Sequence, residues 1–194
     1  MTVATDEIYE TYLQKAITEI NALGDEVAQA GAGTRVPVVG SGHPLADVFL
    51  LKHAPRASEL QEGVAFYGRA GSALLKSLQR LRVDPMAIYG TNCLKFADGD
   101  EGESRPFLLR ELHIVQPKLV VVMGEPAREF LNPVEFPLAS EVGPATGELQ
   151  RFTPTIQALV TPDIDESLDE APLKTAFWNA FKLLGTWWAE LPPY

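Results

Sequence analysis

Three short segments of this chain place reactive side chains directly after apolar, strand-like runs. The first, residues 52–59, contains His53, whose imidazole can take up and release a proton near neutral pH. The second, residues 92–96, begins with Asn92, whose amide offers a donor and an acceptor side by side. The third is Thr161-Pro162-Asp163, where a hydroxyl can donate a hydrogen bond. Each segment also has an ordinary structural reading. An Asn at a strand end commonly forms a turn, a lone His is commonly structural, and Asp163 or Ser167 can cap a following helix.

The elements that must position these segments follow from apolar spacing. Residues 46–51 and 87–92 read as short buried strands. Residues 119–123, β-branched and bounded by Lys118 and Gly124, form the clearest strand in the chain, and residues 149–152 and 156–160 supply one or two more. Helices are expected over residues 6–23 (Ile8, Tyr12, Ala16, Ile20 and Leu23 on one stripe, ending near Gly24) and 71–81 (Leu74, Leu75, Leu78 and Leu81 on one face). Further helices are expected over 106–115, over 125–131 with Pro126 in its first turn, and over 173–191 with Phe177, Phe181, Leu184 and Trp188 on one stripe. Residues 24–44 read as a long connection and residues 98–103 as a solvated acidic loop. Strands separated by helices imply βαβ units and a mostly parallel sheet covered on both faces. Ligands of such sheets bind outside the carboxyl ends of the strands, which is where all three segments lie.

The chain has 194 residues, 46% of them hydrophobic, enough for one substantial core and too few for two ordinary domains. No apolar run approaches the roughly 18 residues of a transmembrane helix, and the acidic start at Asp6, Glu7 and Glu10 is unlike a signal peptide. Cys93 is the single cysteine. That excludes an intramolecular disulfide and a multi-cysteine metal cluster, and a reducing cytoplasm is the expected location. The net charge of −10 argues at first sight against a nucleic-acid partner. Only residues 35–95 are basic, with eight bases (Arg35, Lys52, Arg56, Arg69, Lys76, Arg80, Arg82, Lys95) against four acids, and that block also holds the first two segments.

Several motifs resemble family-four uracil-DNA glycosylases. Residues 40–48, from Gly40-Ser41-Gly42-His43-Pro44 onward, look like the lead-in to that family's first strand. His53-Ala54-Pro55-Arg56 falls where the family has Glu-Ala-Pro-Gly. Gly63-Val64-Ala65-Phe66-Tyr67-Gly68-Arg69-Ala70-Gly71 resembles its G-x-P-F-x-G-R-A-G segment, and Thr91-Asn92-Cys93-Leu94-Lys95 its T-N-x-x-K. Residues 106–112, Pro117-Lys118 and the strand to Gly124 continue the order, so the resemblance covers roughly residues 34–190. It implies a three-layer α/β/α sandwich with a central, mostly parallel four-stranded sheet, as one domain over residues 1–194.

The resemblance also implies roles. Asn92 would contact the base along its amide edge, and Phe66 would stack on it, with Tyr67 sharing that role and Ala54 lining the base site. Arg56, Arg69 and Lys95 would meet DNA phosphates. His53 stands where the family has a Glu that orients water, and Thr161 stands where it has a His that stabilises charge on the departing base. The positions of the family's later cluster cysteines fall at about Phe96 and Ser104, so neither an iron–sulfur cluster nor any other cofactor or metal is expected. The reading is a monomeric, monofunctional DNA glycosylase acting on uracil or another deaminated base. The alternative is a glycosylase-like protein that binds DNA or a nucleobase without turnover. An unrelated flavodoxin-like nucleotide binder is a third reading, disfavoured by the segments at 66–71 and 91–95.

Overall fold

The computed structural model describes residues 3–192, and side chains from residue 5. Its centre is a sheet in the order β1-β3-β2-β4-β6-β5, formed by β1 (Ser41–Gly42), β2 (Val48–Lys52), β3 (Ile88–Asn92), β4 (Leu119–Met123), β5 (Leu149–Arg151) and β6 (Gln157–Thr161). The four inner strands β3, β2, β4 and β6 run parallel, and β1 and β5 pair antiparallel at the two edges. The sheet is therefore six-stranded and mixed, where four mostly parallel strands were expected. The edge strand β5 falls within the strand expected over residues 149–152, whereas the two-residue β1 carries too little pattern to be read locally and is defined by its pairing with β3.

Every residue of β2, β3 and β4 is buried, as expected for strands covered on both faces. Alternation along β2 sends Val48 and Leu50 to one core and Phe49 and Leu51 to the other. The first core is closed by α3 (Arg69–Leu81), α6 (Ile164–Asp169), α7 (Ala171–Phe181) and α8 (Leu183–Ala189). The second is closed by α4 (Glu101–Val115) and α5 (Glu125–Leu131).

Several helices depart from expectation for local reasons. Helix α1 runs Val3–Ala30, beyond the expected 6–23, and continues past Gly24. Its second half buries Ala16, Leu23 and Val27, while Ile8 and Tyr12 of the same stripe are exposed. Helix α4 begins within the expected acidic loop, because Asp100 caps it by accepting from Glu103 N at 3.2 Å. On α3, Leu74 and Leu78 face the core but Leu75 points outward. The expected closing helix is broken at Lys182 into α7 and α8. The break turns Trp187 inward, with its Nε1 donating to Gln157 Oε1 at 2.7 Å, and leaves Trp188 only partly buried. A short α2 (Ala57–Glu62) after β2 completes the frame.

Candidate functional site

Sheet register brings Asn92, Lys52, Met123 and Thr161 into one row at the carboxyl edge, in the order β3, β2, β4, β6. Asn92 and Thr161 therefore stand three strand spacings apart, about 14 Å. The centre of the row is Lys52, wholly buried at 0% exposure. Its ammonium donates to Glu59 Oε2 at 2.6 Å, Asp165 Oδ2 at 2.8 Å and the Ala54 carbonyl at 3.2 Å.

Glu59 lies on α2 and is 2% exposed. The chain leaves β2, turns through Pro55 and enters α2, so the carboxylate comes back to the helix start and accepts from Arg56 N at 2.7 Å. Its other oxygen, Oε1, accepts from Phe66 N at 2.6 Å and from Asn92 Nδ2 at 3.3 Å. One carboxylate oxygen thus holds both the aromatic residue and the amide singled out in the sequence. Phe66 is kept at a φ of 62°, a left-handed conformation rarely adopted by a bulky residue. Two glycines make room for it. A Cβ at Gly90 would lie 2.7 Å from the Phe66 ring, and one at Gly71 would lie 2.0 Å from its carbonyl oxygen. The Lys52 ammonium stands 5.7 Å from the Phe66 ring centroid, within cation–π range.

Asn92 is fully buried, and its Oδ1 has no hydrogen-bond partner. His53, next along from Lys52, emerges toward the other side of the sheet. Its ring meets Phe130 edge-on at 6.5 Å, and its unpartnered Nε2 lies 3.7 Å from Glu101 Oε1. Period-two alternation sends Lys52 toward Phe66 and His53 toward α4 and α5. Ala54 presents its carbonyl to Lys52. Thr161 is 1% exposed and donates its hydroxyl to the Pro162 carbonyl at 2.9 Å, so the expected donor is committed to its own turn.

In front of α2 and α6 lies a cleft of about 900 Å³ lined by Arg56, Ser58, Tyr67, Arg69, Asp165 and Asp169 among others. Arg56, Tyr67 and Arg69 are exposed there. Arg56 reaches Asp165 at 3.4 Å and Arg69 reaches Asp169 at 2.8 Å. Lys95 does not join them. It is 1% exposed, and its ammonium donates inward to Glu111 Oε2 at 2.6 Å, Thr91 Oγ1 at 2.7 Å and the Asn92 carbonyl at 2.9 Å. The expectation of a phosphate contact at Lys95 is corrected on that ground. A charge with three internal acceptors braces the Asn92 backbone instead.

The sequence reading missed Lys52, Glu59 and Asp165 as members of the site. Lys52 carried one usable signal: a cation closing a wholly apolar strand must be buried with a partner. Nothing local marks Asp165, 113 residues away from Lys52.

Three of the four side chains in this row are polar and an aromatic ring stands beside them, at the carboxyl edge where ligands of open α/β sheets bind. A sequence profile of the Uracil DNA glycosylase superfamily matches residues 39–182, and the chain belongs to that superfamily. It is similar to the Type-4 uracil-DNA glycosylase of Archaeoglobus fulgidus, 25% identical over 76% of this chain and 80% of the relative. It is also similar to those of Sulfurisphaera tokodaii (29% identical over 48% of this chain and 47% of the relative) and Pyrobaculum aerophilum (28% identical over 57% and 61%).

The iron–sulfur cluster that the family-four resemblance implies does not fit these residues, because such a cluster takes, as a rule, about four thiolates. The Cys93 thiol lies in the core at 0% exposure, and burial pushes its pKa up. Phe96 is fully buried beneath the Arg35 guanidinium, 4.0 Å from the ring centroid, and Ser104 Oγ accepts from Lys95 N at 3.3 Å. Among the described residues, no group of three or more His, Cys, Asp or Glu is placed to hold a metal ion.

Proposed function

We propose that this protein is a monofunctional DNA glycosylase that hydrolyses the N-glycosidic bond of uracil or another deaminated base. One observation carries the reading: Glu59 Oε1 holds Phe66 N and Asn92 Nδ2 together and leaves a buried, unpaired Asn92 Oδ1 beside them. A glycosylase must extrude its base from the stack and bind it by stacking and by hydrogen bonds to its edge. Phe66 supplies the ring, worth about 1–3 kcal/mol per base, and Asn92 the edge contact. Tyr67 borders the cleft as a second aromatic surface, and Ala54 lines the base site. The sequence assigns His53 to position the attacking water; its ring faces Phe130 and Glu101, away from Phe66, and His53→Ala tests that assignment. Arg56 and Arg69 meet phosphates in place of their present carboxylate partners. The partner is DNA, and the protein acts as a cytoplasmic monomer without a cofactor.

A second reading, binding of DNA or a nucleobase without turnover, is favoured by Thr161, whose hydroxyl is committed to the Pro162 carbonyl and offers the departing base no donor. One experiment separates the two. Purified protein is incubated with a single-stranded oligonucleotide carrying uracil, hypoxanthine or xanthine, then treated with alkali to reveal abasic sites. Cleavage above the unmodified control, reduced by Asn92→Ala and by His53→Ala, supports the glycosylase. No cleavage at high enzyme and long times, with binding retained, leaves the second reading standing. Cleavage unaffected by either substitution overturns the site assignment.

A further inference from the structure

We propose that Lys52 decides what the base site admits: its ammonium fills the place of a base against Phe66, and a base enters only as that ammonium withdraws toward the cleft. The proposal rests on the reading of Phe66 and Asn92 as the base-binding pair. That pair is sealed, since Asn92, Phe66 and Thr161 are all buried in the folded chain. Gly90 packs against one edge of the Phe66 ring, where a Cβ would lie 2.7 Å from Cδ2 and 2.9 Å from Cε2. The Lys52 ammonium stands over the ring, 5.7 Å from its centroid. A stacked aromatic partner places its own centroid about 4.5–7 Å from the ring that it covers. The ammonium therefore lies within the shell that a stacked base has to occupy, and the two cannot share it.

The three acceptors that hold the ammonium differ in kind. Glu59 and the Ala54 carbonyl belong to the segment that directly follows β2. Asp165 comes from the six-residue helix α6 and lines the cleft of about 900 Å³. Lys52 and Arg56 both use Asp165 Oδ2, so Oδ1 remains to receive the ammonium in a new position. A lysine carries its charge on a flexible four-carbon stem, which permits that movement without any shift of β2.

Withdrawal does not strand Glu59, which keeps the bonds from Arg56 N, Phe66 N and Asn92 Nδ2. The ammonium, however, enters a cleft whose carboxylates at Asp165 and Asp169 already serve Arg56 and Arg69. A phosphate that arrives with the base supplies it with a further acceptor, in a charge-assisted hydrogen bond. A free base brings no such group. The ligand class is therefore a base carried on a phosphate backbone, and Lys52 excludes the same base presented alone.

The test compares Lys52→Ala with Lys52→Met, both checked for folding by circular dichroism. The two remove the same charge and unbalance Glu59 alike, but only alanine empties the space over Phe66. Free uracil, titrated calorimetrically, should bind Lys52→Ala at least about tenfold more tightly than Lys52→Met or the wild type, within what stacking of one base contributes. The wild type supplies a second measurement that needs no variant. In protein carrying isotope-labelled lysine, the ε-methylene resonances of Lys52 feel the nearby Phe66 ring. That ring shift should collapse when a single-stranded oligonucleotide containing uracil is added, and persist with the unmodified one. Equal, measurable uracil binding by the two variants overturns the inference and leaves the base-binding reading standing. So does a wild type that prefers the uracil oligonucleotide with its Lys52 shift intact. Tight binding by Lys52→Ala, with no preference in the wild type, upholds Lys52 as the block and overturns the glycosylase. If neither variant binds uracil and the wild type shows no preference, both readings fall together.

Discussion

Lys52→Met keeps the length of the side chain and removes its charge from the centre of the site. Lys52 is 0% exposed and its partner Glu59 is 2% exposed, so the carboxylate left behind cannot recover its solvation from water. Removing one member of a buried ion pair costs about 3–5 kcal/mol. Glu59 would keep its bonds from Arg56 N, Phe66 N and Asn92 Nδ2, which places the loss at the lower end, about 3 kcal/mol. In Glu59→Gln, Lys52 keeps Asp165 and the Ala54 carbonyl, but four donors then converge on a neutral amide that is half donor itself, and a loss of similar size is expected. The double variant removes both charges together. Its loss should fall short of the sum of the singles by about 0.5–3 kcal/mol, the range measured for directly contacting residues. The assay is urea unfolding at neutral pH, followed by tryptophan fluorescence and extrapolated linearly to water. Single losses below about 1 kcal/mol, or strict additivity in the double, would refute the view that this pair organises the site.

Three further outcomes are expected. Arg56→Ala and Arg69→Ala should each lower the slope of log affinity for single-stranded DNA against log salt by about 0.7, whereas Lys95→Met should leave the slope unchanged and show its effect in urea unfolding. A lower slope for Lys95→Met would put that ammonium back among the DNA contacts. Stability should fall on the alkaline side: burial pushes up both the Cys93 thiol and the Tyr89 hydroxyl, the latter further raised by Glu111, from ordinary values of 9.0 and 10.0. The unfolded chain then sheds protons that the folded one keeps, so stability is whole below about pH 9 and declines by about 1.4 kcal/mol per pH unit for each group, from about pH 9 for the thiol and from about pH 10 for the hydroxyl. Cys93→Ala should make the decline shallower, and an unchanged decline would show that the thiol is not buried as described. Finally, Gly90→Ala would place a Cβ 2.7 Å from the Phe66 ring, and displacing that ring should weaken base-specific binding about tenfold without altering the salt slope.

Much of this protein was determined by local sequence alone. The β-branched run at 119–123 and the runs ending at Lys52 and Asn92 became β4, β2 and β3, because a strand buried on both faces is apolar except where a polar side chain finds a partner. The order of the motifs placed the chain in its superfamily, and the strand-end rule put Asn92 at the carboxyl edge. Which charges meet there was settled by tertiary structure. Asn92 and Glu59 are 33 residues apart, and Lys52 and Asp165 are 113 apart. Only parallel register and the return of α2 and α6 over the sheet edge bring them within hydrogen-bond distance. The same non-local packing turned Lys95 inward onto Glu111 and defined the edge strand β1 by its pairing with β3. Spacing along a chain specifies which face a side chain takes. It does not specify what comes to meet that face, so the amide at Asn92 was legible in the sequence and the carboxylate that holds it was not.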